Sequence, residues 1–177
     1  MPEETNKKIC RIIVISTCFH HKDIRAMTEN EQAEYYYKIF KTIREVFSPK
    51  EAEIVFKLHP SEPDIYRHSR EDFDVVVVAE NAKAEEVVAL SDLYIAHPMT
   101  TVNNMPRALG MSAIFINFSG LDFITESAAF YNIKHVALNH SDFKWVLEEY
   151  KRDTLPLQYN NSGIEREGIE RTVEFVG

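Results

Sequence analysis

Glycine is scarce in this chain: five residues among 177, four of them beyond residue 119. No G-x-G-x-x-G follows the first apolar run and no G-x-x-x-x-G-K-[ST] is present, so the glycine-rich loops that cradle dinucleotides and nucleoside triphosphates are excluded. A phosphate would have to be held by side chains and helix starts. Positive charge is also short, with 20 Lys and Arg against 28 Asp and Glu and a net charge of −8. Nucleic-acid binders carry a basic face, so nucleic acid is not an expected partner. No apolar run approaches the roughly eighteen residues of a membrane span. The opening Met1-Pro2-Glu3-Glu4-Thr5-Asn6-Lys7-Lys8 lacks the apolar core of a secretory signal. The expectation is a cytoplasmic domain without a membrane span. Cysteine is limited to Cys10 and Cys18, which bracket Ile12-Ile13-Val14-Ile15. If that run is a strand, it separates the two by roughly 26 Å, far beyond disulfide reach, so both are expected to be free thiols. With no C-x-x-C pair and no third ligand near His20-His21, neither a metal nor a cofactor is expected.

What the chain does have is alternation. Six short runs rich in Val, Ile and Phe, namely 12–16, 54–58, 75–79, 93–96, 113–117 and 135–138, show little polar interleaving, as strands buried on both faces do. Helical candidates lie between them at 29–47, 61–70, 83–91, 101–109, 123–131 and 141–151. Strand and helix in strict alternation imply an α/β fold: a doubly wound, mostly parallel sheet of about six strands with helices on both faces. Ser61-Glu62-Pro63-Asp64 reads as a helix start, and Ser141-Asp142 as another, with Phe143, Trp145, Val146 and Tyr150 as its buried stripe. Pro106 interrupts the 101–109 segment, so that helix is kinked or begins near Asn103 or Asn104. Residues 9–152 are expected to form one domain, and 153–177 a loop with a terminal helix.

Two strand-like runs end in the same way. Ile54-Val55-Phe56-Lys57-Leu58 stops at His59-Pro60, and Asp92-Leu93-Tyr94-Ile95-Ala96 stops at His97-Pro98 and continues Met99-Thr100-Thr101-Val102. Proline keeps the residue before it extended, so both histidines are expected at strand carboxyl ends, which line the ligand crevice of an open parallel sheet. An imidazole, hydroxyls and helix-start amides are donors that suit a phosphate. The expected contacts are His59 with Lys57 behind it, Thr100 and Thr101, then His97, and Ser16 and Thr17 from the polar loop after the first strand. No catalytic residue is assigned beyond His59 as stabiliser of a leaving-group oxygen.

These motifs resemble the carboxyl-terminal, nucleotide-sugar-binding half of GT-B glycosyltransferases that carry an HP motif and an SS or ST motif. That group comprises bacterial sialyltransferases, capsule Kdo transferases and the CDP-glycerol glycerophosphotransferases. Lys57-Leu58-His59-Pro60 is similar to the first motif, and Leu90-Ser91-Asp92-Leu93-Tyr94-Ile95 with Thr100-Thr101-Val102 to the second and the strand before it. Arg107-Ala108-Leu109-Gly110-Met111-Ser112-Ala113-Ile114 looks like the "A-L-x-x-G-x-P-V-I" that follows. The resemblance covers residues 9 to about 152 and implies a Rossmann-like fold. It further implies a donor-binding half for surface polysaccharide synthesis that holds the phosphate of a CMP-, CDP- or UDP-linked sugar. The acceptor and catalytic base would come from an amino-terminal half, in cis or as a separate chain. Met105 or Pro106 stands where related families place a ribose-binding glutamate, and Ser112 replaces the usual proline. Two alternatives therefore stay open: a non-catalytic interaction or regulatory module of the same fold, and a relative of the UDP-GlcNAc 2-epimerases.

Overall fold

The computed structural model describes residues 9–19, 26–78, 82–120 and 136–155. Five strands, β1 (Cys10–Ile15), β2 (Ala52–Lys57), β3 (Val75–Val78), β4 (Leu93–Ala96) and β5 (Ser112–Phe115), form one sheet in the order β3-β2-β1-β4-β5. Every neighbouring pair is parallel. β1 is central because its Ile12, Ile13 and Val14 are wholly buried and need cover on both faces. The expected sixth strand is reduced to a single parallel bridge between Ile116 and Ala137; His135 lies outside the described residues. Helices cover both faces, and the fold is α/β.

One face is covered by α1 (Glu29–Val46) and the last helix, α5 (His140–Lys151). The first turn of α1 is closed reciprocally by Thr28 and Glu31, each side chain meeting the other residue's backbone N–H. Its Gln32, Tyr35, Tyr36, Ile39, Phe40, Ile43 and Val46 recur at helical spacing and face the sheet. They meet Ile12, Val14, Ile54, Phe56, Leu93 and Ile95 from the strands and Phe143, Val146 and Leu147 from α5. At about 2 kcal/mol for each large apolar side chain removed from water, this face supplies most of the hydrophobic stabilisation. The other face is smaller: Ile13, Ile15, Val55, Tyr94, Ala96 and Phe115 lie under Val87 and Val88 of α3 (Ala84–Ala89) and beside Val102 and Met105.

Several sequence expectations are corrected. The helix expected from Ser61 starts only at Arg67 and ends at Phe73 (α2), because Glu62 turns into the protein instead of capping a first turn. The 101–109 segment is a 3₁₀ turn, Thr101–Asn104, followed by the one-turn helix α4, Met105–Ala108. Pro106 sits in the first turn of α4, where its missing N–H costs nothing. The N-cap of α5 is Asn139, whose Oδ1 accepts the Asp142 N–H at 2.9 Å. Leu147 takes the place in the buried stripe expected for Trp145, which is 43% exposed. The 123–131 segment, His20 and His21, and the tail from residue 156 lie outside the described residues.

Among the described residues no helix is long and apolar enough to cross a membrane. Cys10 is half-buried and Cys18 buried, and the two are not bridged to each other.

Candidate functional site

The chain runs outward from β1 to β2 and β3, then returns across the sheet to β4 on the other side of β1. Strand order reverses between β1 and β4, and the loops leaving the carboxyl ends of such a pair diverge to leave a crevice. Ser16 and Thr17 leave β1 there, His97 to Thr100 leave β4, and His59 leaves the neighbouring β2.

Hydrogen bonds tie these three loops together. Thr17 Oγ1 and Thr100 Oγ1 lie 2.7 Å apart across the β1–β4 reversal. One hydroxyl donates to the other, so the pair has one proton and its lone pairs left for a ligand. The Thr17 N–H donates to Tyr36 Oη at 2.7 Å, which anchors the β1 loop on α1. The Ser16 hydroxyl donates to Glu62 Oε2, and the same oxygen accepts the His59 N–H at 3.2 Å, joining the β1 and β2 loops. Glu62 Oε1 accepts from Gln32 Nε2 and from the Tyr66 hydroxyl. Glu62 is 1% exposed, and four donors fill the lone pairs of its two oxygens. Burial first, and the Glu62 charge second, push the phenols of Tyr36 and Tyr66 well above their ordinary range, so both remain donors.

The two His-Pro turns share a local geometry. His59 Nδ1 accepts the Ser61 N–H at 3.2 Å, and His97 Nδ1 accepts the Met99 N–H at 3.3 Å. In the neutral form each ring therefore carries its proton on Nε2. Their surroundings differ. His59 is exposed at the lip of the crevice. His97 is 1% exposed, with the Phe19 ring packed edge-on against it at 4.7 Å between centroids, and among the described residues its buried Nε2 has no hydrogen-bond partner. Burial holds the His97 pKa down at about 4; the Asn117 side chain nearby opposes this in part without an aligned bond to Nε2. The β4 turn is braced from inside by Asn103, whose Nδ2 donates to the carbonyls of His97 (3.0 Å) and Pro98 (2.8 Å) while its Oδ1 accepts from Tyr94 Oη (2.8 Å).

Of the residues expected at the site, Ser16, Thr17, His59 and Thr100 are brought together by this network. Thr101 opens the 3₁₀ turn beside them, its side chain lying outside the description. His97 lies beneath the crevice wall rather than at its mouth. Lys57 is 4% exposed on the smaller-core side of β2, in register with Ile15 and Val78, and its Nζ donates to its neighbour's carbonyl, Leu58 O, at 2.9 Å. Glu62, Asn103, Gln32 and Tyr36 were not expected there. A polar residue at a buried helix position, as Gln32 is between Thr28 and Tyr35, is the one sequence signal that pointed to them.

No protein-family model and no curated protein matches this chain. The reading of the site rests on its own geometry and on the motifs.

Proposed function

We propose that this crevice holds the phosphate of a nucleotide-activated sugar, and that the chain is the donor-binding half of a glycosyltransferase or glycerophosphotransferase. The supporting observation is the Thr17–Thr100 hydroxyl pair at the strand-order reversal, where the loops leaving β1 and β4 meet with one hydroxyl proton left to donate. His59, with Nε2–H as its neutral tautomer, supplies a second donor at the lip, suited to an oxygen that gains negative charge as the sugar leaves. Thr101 contributes a helix-start amide next to Thr100. Ser16, Lys57 and His97 support the walls, since the Ser16 proton is directed to Glu62, and Lys57 and His97 are buried. The acceptor and its base are assigned to an amino-terminal half, in cis or as a separate chain.

A half-cleft exposed to water binds weakly. Ligand-observed NMR with CMP, CDP, UDP and their sugars is expected to show binding near the millimolar range, about −4 kcal/mol, and no sugar transfer by the chain alone. Absence of binding by every nucleotide at roughly ten times that concentration would return the fold to the non-catalytic module. Transfer or 2-epimerisation by the purified chain would remove the need for a second half.

A further inference from the structure

Glu62 stands at the one place where both polar backbone groups of His59 are taken up by a single residue. Its N–H donates to His59 O at 3.0 Å, closing the turn His59-Pro60-Ser61-Glu62, and its carboxylate accepts the His59 N–H at 3.2 Å. Between these two bonds the Ser61 N–H is aimed at His59 Nδ1. The carboxylate is itself immobilised by Ser16 from β1, Gln32 from α1, and Tyr66 ahead of α2. A buried anion with two donors on each oxygen has no alternative arrangement of equal energy. The whole turn is therefore held against β1 and α1, although His59 itself is exposed.

We infer that Glu62 is the positioning residue of the crevice: it clamps the backbone of His59 so that Ser61 fixes the imidazole as the Nε2–H tautomer, a neutral donor preset for a phosphoryl oxygen. The ligand part of this rests on the function proposed above; the tautomer part does not. Glu62 does not touch the ligand. It acts through His59, and through Ser16 on the neighbouring Thr17.

The test is the ring ¹⁵N spectrum of His59 in the free protein, assigned by its disappearance in His59→Gln, alongside CMP and UDP titrations and melting curves. In the wild-type chain, above the titration range of histidine, Nδ1 is expected to be unprotonated and Nε2 protonated; an Nδ1–H tautomer overturns the proposal without any variant. Glu62→Ala is expected to release the turn, mix the two tautomers and weaken nucleotide binding about tenfold. Glu62→Gln is expected to rescue both. The backbone N–H of His59 cannot turn, so it selects the amide oxygen, whereas the Tyr66 hydroxyl and the Gln32 amide can each reorient toward the new NH₂. If Glu62→Ala does not fold, Glu62→Asp serves, because a carboxylate one methylene shorter cannot reach His59 N–H and the Tyr66 hydroxyl together. A merely structural Glu62 would lower the melting temperature of these variants and leave the His59 tautomer fixed, which overturns the proposal. Loss of the tautomer in Glu62→Ala in a chain that binds no nucleotide would uphold the clamp and refute the functional reading instead.

Discussion

The turns at His59 and His97 begin from the same dipeptide at the same kind of place, a parallel strand's carboxyl end, and both rings accept a backbone N–H from two residues on. They end in opposite environments. After His59 the chain uses a carboxylate, Glu62, to hold the turn, and the ring is left exposed. After His97 it uses a neutral amide, Asn103, and the ring is folded under Phe19 with Nε2–H unmatched among the described residues. A His-Pro step thus specifies where a histidine lies along a strand. Whether it meets a ligand depends on what the neighbouring strand's loop places over it. β1 lies between the two turns and does both things, sending Ser16 toward Glu62 and Phe19 over His97.

The sharpest way to break this contrast is acid. With its folded pKa near 4 and an ordinary value of 6.5 in the unfolded chain, His97 binds its proton more readily after unfolding. Its contribution is fully present above pH 6.5 and is lost as pH falls toward 4, about 3 kcal/mol across that window. Urea midpoints at several pH values are expected to fall through this range for the wild-type chain. In His97→Asn the slope should be shallower, since an amide oxygen can accept the Met99 N–H without titrating. The same slope in both chains would place the acid sensitivity elsewhere.

Removing the other ring is expected to do the reverse. His59→Ala should leave the unfolding free energy from urea melts within about 0.5 kcal/mol of wild type, as for an exposed side chain, while costing roughly 1.5 kcal/mol in nucleotide affinity. A stability loss with unchanged affinity would make the two histidines equivalent after all.

A smaller effect is expected where the loops meet. Thr100→Val keeps the shape and removes one hydroxyl, which leaves Thr17 Oγ1 without its partner at 2.7 Å and should cost about 1 kcal/mol of stability. Adding Thr17→Val is expected to cost much less than a second full step, because the pair is then apolar on both sides.

The strands could be read from the sequence because a strand buried on both faces leaves a short apolar run without polar alternation, and residues 12–15, 54–56 and 93–96 are such runs. The His-Pro and Thr-Thr placements followed from proline's effect on the residue before it. Glu62 was not legible. Beside Ser61 and Pro63 an acid reads as the first turn of a helix, and only the arrival of Ser16, Gln32 and Tyr66, distant in sequence, makes it a buried acceptor. The inward turn of Asn103 was hidden for the same reason, since its partner Tyr94 is a β4 core residue whose hydroxyl is invisible in a hydrophobic pattern. Trp145 misled in the opposite sense: its size suggested core, but helical spacing from Phe143 and Val146 gives the inner position to Leu147.

The central place of β1 also sets an order of assembly. During synthesis β1, β2 and β3 emerge in turn and can pair as soon as each is made, through crossings of a few tens of residues. The other side of β1 must wait for β4, and until Leu93–Ala96 arrives the central strand of the sheet, with its buried Ile12, Ile13 and Val14, has one edge without a neighbour. The Thr17–Thr100 contact spans 83 positions of chain and forms only after that docking. The crevice between the β1 and β4 loops is therefore completed late, and a nascent chain stopped before β4 would carry an open central strand, a natural substrate for chaperones.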